Sequence, residues 1–173
     1  LADNYIDKEA PDLNLCFFDI EVDFDKEKGF SDPTDPFNPI TAIALHLSWL
    51  KKTVCIALKP DTLTKEQAQE ICNKFEDTFL MDTEEELLST FLDLIDDADV
   101  LSGWNSEGYD IPYMVNRISR VLSKSHTRKF CLWDRMPRER TLVKFGKDTQ
   151  AFELTGRVHL DFLELYRKFT YNE

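Results

Sequence analysis

The chain has 173 residues, 42% of them apolar and 12% aromatic, which is enough to build one well-buried domain and excludes an overall disordered polymer. Its net charge of -12 argues against a uniformly basic nucleic-acid surface, and without a run of about 18 apolar residues or a basic-then-apolar N-terminus it predicts neither a membrane span nor a signal peptide. The four cysteines include no CxxC pair and mostly sit in apolar stretches, so they read as reduced core residues of an intracellular protein.

Residues 1–12 are polar and form an entry segment ahead of a domain at 13–173. The first predicted strand, 15–22, reads Leu-Cys-Phe-Phe-Asp-Ile-Glu-Val. Strand alternation puts Asp19 and Glu21 on one face while Phe18, Ile20 and Val22 point to the core. Two adjacent anions are costly unless neutralised, and a hard divalent cation such as Mg2+ or Mn2+ suits oxygen ligands. A solvent-facing acidic pair is the plainer reading in a chain with 33 acidic residues. Residues 23–39 carry Pro33, Pro36 and Pro39 and form a loop at the end of that strand.

Residues 40–49 and 53–58 predict a hairpin of two strands, and 65–75 a short helix. Thr83 with Glu86 marks a capping box, followed by helical spacing of Leu87, Leu88, Phe91, Leu92, Leu94 and Ile95 to about Asp97. A short buried strand at 100–102 leads through Gly103-Trp104-Asn105-Ser106-Glu107-Gly108 into a helix that begins near Tyr109, with Pro112 in its first turn. After a basic connector, 141–145 and 150–154 predict a second hairpin, 158–160 a last strand and 162–169 a last helix. This order implies an α/β domain with a mixed sheet. Asp161 reads as a helix cap.

In open α/β sheets, ligands gather at the carboxyl ends of strands. Asp19 and Glu21 lie at one such end, and Asp110 lies just after the 100–102 strand, at a helix start that favours an anion. If the two strands are neighbours, three carboxylates converge on a site that could hold two ions. Between Arg117 and Lys147, ten Lys or Arg stand against Asp134 and Glu139, a local balance of +8 that reads either as a solvated face or as a track for a phosphate backbone. No GxSxG, GxxxxGK[ST] or GxGxxG occurs.

Phe17-Phe18-Asp19-Ile20-Glu21-Val22 resembles the first exonuclease motif of family B DNA polymerases. Gly103-Trp104-Asn105-Ser106-Glu107-Gly108-Tyr109-Asp110-Ile111-Pro112-Tyr113 resembles the second, and residues 159–168 are similar to the segment after the hairpin in polymerases of T-even-type bacteriophages. The resemblance implies a ribonuclease H-like mixed β-sheet flanked by helices, with an inserted β-hairpin, acting as a 3′-5′ proofreading exonuclease with two divalent ions, Mg2+ or Mn2+. It makes Asp19, Glu21 and Asp110 the catalytic metal ligands, with Asn105 and Tyr109 near the substrate. Phe30 is the candidate to stack on an unpaired base, its alternative being an aromatic tucked into the core.

The implied partners are a single-stranded DNA 3′ end, the remaining domains of a polymerase, and through them a sliding clamp and replisome, in the cytoplasm of an infected bacterium. One departure stands out. Neither the Tyr-x-x-x-Asp of the third motif nor its histidine form occurs in the 173 residues. With Leu1 rather than Met at the start, the expectation is a fragment cut before that motif, one carboxylate short and weakly active or inactive by itself. Two other readings stay open: a ribonuclease H-like module that binds nucleic acid or partner domains without cutting, and another two-metal repair or RNA-processing exonuclease.

Overall fold

In the computed structural model, which describes residues 10–144 and 146–170, the first apolar run forms β1 (Leu15–Val22) with the predicted alternation. Cys16, Phe18 and Ile20 are buried, while Phe17, Asp19 and Glu21 are exposed. There follow β2 (Ile40–Leu47), β3 (Lys52–Leu58), α1 (Lys65–Cys72), β4 (Thr78–Met81), α2 (Glu84–Leu94), β5 (Val100–Gly103) and α3 (Asp110–Val121). A 3-10 helix (Lys124–Phe130), the hairpin strands β6 (Arg138–Lys144) and β7 (Lys147–Glu153), β8 (Val158–Asp161) and α4 (Phe162–Thr170) follow among the described residues. Of the predicted entry segment, residues 1–9 lie outside the described residues, as does Phe145, the last residue of the predicted 141–145 strand.

Six strands form one mixed sheet in the order β4-β3-β2-β1-β5-β8, with β6-β7 as a separate antiparallel pair. β1 pairs antiparallel with β2 and parallel with β5, and β5 pairs parallel with β8. This is the expected ribonuclease H-like arrangement. The core lies on one face, where Phe18, Ile20, Ile43, Leu45 and Ile56 of the sheet meet Leu87, Leu88, Phe91 and Leu92 of α2 and Ile111, Met114 and Ile118 of α3. Each such side chain, once fully buried, stabilises the fold by about 1.5–3 kcal/mol, which is why two amphipathic helices stay on this face.

The structure departs from the sequence reading in local ways. β4 was not expected: its four residues are too few to show alternation, and it exists by pairing parallel with β3 from Cys55↔Thr78 to Leu58↔Met81. α1 stops at Cys72, and the reciprocal capping box belongs to it, through Thr64 and Gln67. At α2, Thr83 does accept from the Glu86 N–H, but the Glu86 carboxylate turns to the backbone N–H of Asp82, so the box is half formed. The basic connector contains the 3-10 helix. The hairpin is longer than predicted, with its last pair at Lys144↔Lys147, because Gly146 takes a left-handed φ of 74° and closes a tight turn.

Candidate active site

The site is built where β5 stops pairing with β1. Their register runs from Leu15↔Val100 to Phe17↔Ser102, so Asp19 and Glu21 project beyond the end of β5 while still paired to Ala44 and Ala42 of β2. Gly103 turns the chain out of the sheet. A Cβ at that position would sit 2.6 Å from the Phe18 carbonyl oxygen, so the residue must be glycine for the two backbones to come this close.

The turn after Gly103 is fixed from below by β8. Ser106 is fully buried, with Oγ donating to the Gly103 carbonyl at 3.1 Å and lying 2.9 Å from His159 Nε2. Asp161, opposite Gly103 in the ladder, accepts from the backbone N–H of Leu163 at 3.0 Å and of Glu107 at 3.2 Å. The first bond is the expected helix cap; the second ties the turn to α4. Asn105 takes a left-handed φ of 56°, which Asn tolerates, and its carbonyl accepts from Gly108 and Tyr109 N–H.

The turn delivers Asp110 to the first position of α3, 4% exposed, with Oδ1 accepting from the Ile20 N–H of β1 at 3.3 Å. Burial, and next the negative charge of Asp19, push the Asp110 carboxyl up to about 7, against the hydrogen bonds from the backbone, and the charge of Asp161 adds to the rise. Burial also raises the Tyr109 phenol, on which Tyr113, Asp110, Asp32 and Glu21 act as well. Asp110 is thus within electrostatic reach of Asp19, and Tyr109 within that of Glu21. Glu21 stands two residues farther along the strand, roughly 7 Å, where the β1–β2 register shifts between Glu21 and Val22.

Among the described residues, no three His, Cys, Asp or Glu side chains group closely enough to hold a metal ion. The donor chemistry nonetheless fits a hard cation. Asp19 and Asp110 offer oxygen, and a bound positive charge would offset both the burial that chiefly raises the Asp110 carboxyl and the repulsion from Asp19 that adds to it.

Residues 1–173 match the model of a family described as DNA polymerase family B, exonuclease domain. The chain belongs to that family. It is similar to the DNA-directed DNA polymerase of Escherichia phage RB69, at 28% identity over 99% of the chain and 21% of that protein. Likeness to the DNA-directed DNA polymerase of Enterobacteria phage T4 is also 28% identity, over 52% of the chain and 10% of the relative. The chain thus spans a small part of the curated relatives it matches. Among the described residues, no helix is long and apolar enough to cross a membrane.

Other features of this family B exonuclease domain were read incompletely or not at all. Phe30 is 72% exposed and meets Phe24 edge-on at 4.9 Å, so it is not a core aromatic. Trp104, not singled out by sequence, lies 6.1 Å from the Phe162 ring and 5.8 Å from Tyr166. It lines an open recess of about 510 Å³ with Phe17, Asp19, His46 and Phe162. Its place inside the second motif was the available signal.

The basic segment also has a different character from a free phosphate track. Arg117, Arg120, Arg128, Lys129, Arg138 and Arg140 pair with Glu84, Asp35, Asp134, Asp93, Glu153 and Glu107 respectively. Much of the +8 is thereby neutralised within the fold.

Proposed function

We propose that this domain hydrolyses the terminal phosphodiester of single-stranded DNA 3′ ends, as the proofreading exonuclease of a longer family B polymerase. The observation that carries the reading is the buried Asp110 of α3, whose carboxylate accepts from the Ile20 N–H between Asp19 and Glu21, where β1 runs past the end of its parallel neighbour β5. Asp19, Glu21 and Asp110 would hold two divalent ions, Mg2+ or Mn2+. With metal bound, the chemistry supplied is activation of the attacking water and stabilisation of charge on the attacking and leaving oxygens.

The rest of the work falls to the chain itself. Asp110, anchored on the Ile20 N–H, keeps its carboxylate at the strand end. Asn105 and Tyr109, in and just after the turn from Gly103, border the substrate. Phe30 offers a ring face to the last unpaired base, and the aromatic recess beside Asp19 offers apolar walls to a nucleotide. The hairpin of β6 and β7 would guide the strand, and the other polymerase domains, with a clamp and replisome beyond them, would be its partners in the cytoplasm of an infected bacterium.

The test is Mn2+-dependent release of mononucleotides from a labelled single-stranded oligonucleotide. It compares the chain with a natural polypeptide of its relatives' length that contains it. We expect release by the longer protein and little by the chain alone, with Asp19→Ala lowering the rate roughly 100-fold or more. Unchanged activity in Asp19→Ala would overturn the assignment. A folded longer protein that binds the oligonucleotide and leaves it whole would instead establish the non-cutting module.

A further inference from the structure

We infer that Tyr113 is a positioning residue that sets Phe30 against the terminal base of a single strand, an inference that rests on the nuclease reading above. The side chain is fully buried, with its hydroxyl 2.7 Å from the Asn38 carbonyl oxygen and 2.5 Å from Ser31 Oγ. A carbonyl can only accept, so the tyrosine proton goes to Asn38 O and Ser31 donates its own proton to the tyrosine oxygen. Ser31 Oγ in turn accepts from the Asn38 backbone N–H at 3.2 Å. The three residues close a ring of hydrogen bonds in which each donor has one acceptor.

Asn38 also reaches back, its Nδ2 donating to the Gly29 carbonyl at 2.9 Å. Phe30 is therefore bracketed, with Ser31 after it held by Tyr113 and Gly29 before it held by Asn38. Its ring alone projects, 72% exposed against the edge of Phe24. A ring so exposed returns little hydrophobic stabilisation, while the backbone beneath it is fixed by buried polar groups that are costly to leave unpaired. That combination fits a stacking surface ordered before its base arrives, which lowers the entropy cost of binding.

The remaining anchors act on the far limb of the loop. Asn116 donates to the Pro33 carbonyl, Arg117 to those of Pro36 and Phe37, and Arg120 pairs with Asp35. Tyr113 stands three residues after Asp110 on α3, so one helix sets both the buried carboxylate and the projecting ring.

The experiment measures binding of the purified chain to two single-stranded oligonucleotides by fluorescence anisotropy in Ca2+. One ends in a 3′ base and the other in a 3′ abasic sugar. Tyr113→Phe, which removes only the hydroxyl, should weaken the base-bearing strand about 5-fold and the abasic strand less than about 2-fold, as should Phe30→Ala. The double variant should bind no more weakly than Phe30→Ala, because each change removes the same stacking contact.

An equal loss on both strands, additive losses, or Tyr113→Phe affinity within 2-fold of the parent would overturn the inference while leaving the nuclease reading intact. Failure of the parent chain to bind either strand would overturn the inference, the nuclease reading being decided by the longer protein's activity. Ser31→Ala breaks the same link from the loop side and should reproduce the selective loss, so the outcome does not depend on one variant's folding.

Discussion

The loop at 23–39 and the hairpin of β6 and β7 are opposites in how a fold holds a segment in place. Apart from one isolated bridge, between Asp25 and Gly29, the loop has no regular structure, yet its side chains and carbonyls enter a buried polar network on α3. The hairpin has a complete ladder from Arg138↔Glu153 to Lys144↔Lys147, and Ala151 and Phe152 root its base in the core. Among the described residues its other side-chain bonds are fewer and mostly exposed: Arg138 to Glu153 and Gln150 to Glu139 within the hairpin, and Asn116 of α3 to Gln150 and Arg140 to Glu107 tying it to the body. Regular backbone pairing thus says little about how tightly a segment is tied to the rest of the molecule.

The largest expected effect falls on the loop side. Arg117 and Glu84 pair at 2.6 Å with side chains only 11% and 10% exposed, and Glu84 also accepts from the Ile40 N–H. Arg117→Met would strand the Glu84 carboxylate and release the Pro36 and Phe37 carbonyls, costing about 3–5 kcal/mol in urea unfolding. Adding Glu84→Gln should recover a good part of that loss. A loss no larger than that from a hairpin substitution would erase the contrast.

A pH response should come next, again through α3. Unfolded, Asp110 ionises near the ordinary carboxylate value of 3.8, whereas folded it keeps its proton up to about 7. Between those values the native state binds one proton more than the unfolded chain, so stability without metal falls as pH rises and levels off above 7. The slope contributed by this group is at most about 1.4 kcal/mol per pH unit. Urea midpoints across this range should show the decline, and Asp110→Asn should flatten it. A wild-type profile that matches Asp110→Asn throughout would place the charge of Asp110 elsewhere.

The smallest effect belongs to the hairpin. Arg138 is 77% exposed where it pairs with Glu153, so Arg138→Ala should cost about 1 kcal/mol or less, and less still at high salt. A value comparable to that of Arg117→Met would show that the ladder is more firmly tied than its exposed bonds suggest.

What the sequence revealed follows the same division. β1, α3 and the placement of Asp19 and Asp110 were legible because they depend on local alternation, helical spacing and turn chemistry. The polar network was not. In the sequence Tyr113 is only the last residue of the second motif, and nothing local tells that its hydroxyl meets Ser31, 82 positions earlier in the chain. Most ion pairs of the basic segment were hidden for the same reason, since Arg120 finds Asp35 from a separation of 85 positions, Arg128 with Asp134 being the local exception. Asp161 shows both cases in one side chain, its cap on Leu163 being local and its bond to Glu107 N–H depending on the β5–β8 ladder.

The seam between Gly103 and the Phe18 carbonyl carries a consequence for how the two halves of the site are spaced. Main chain meets main chain there, with no room for even a methyl group. The strand bearing Asp19 and the turn leading to Asp110 are thus gauged by peptide atoms, which side-chain substitution cannot resize. Exchanges among Leu, Ile and Met in the surrounding core can change how much the fold resists unfolding, and the distance across that seam stays the same.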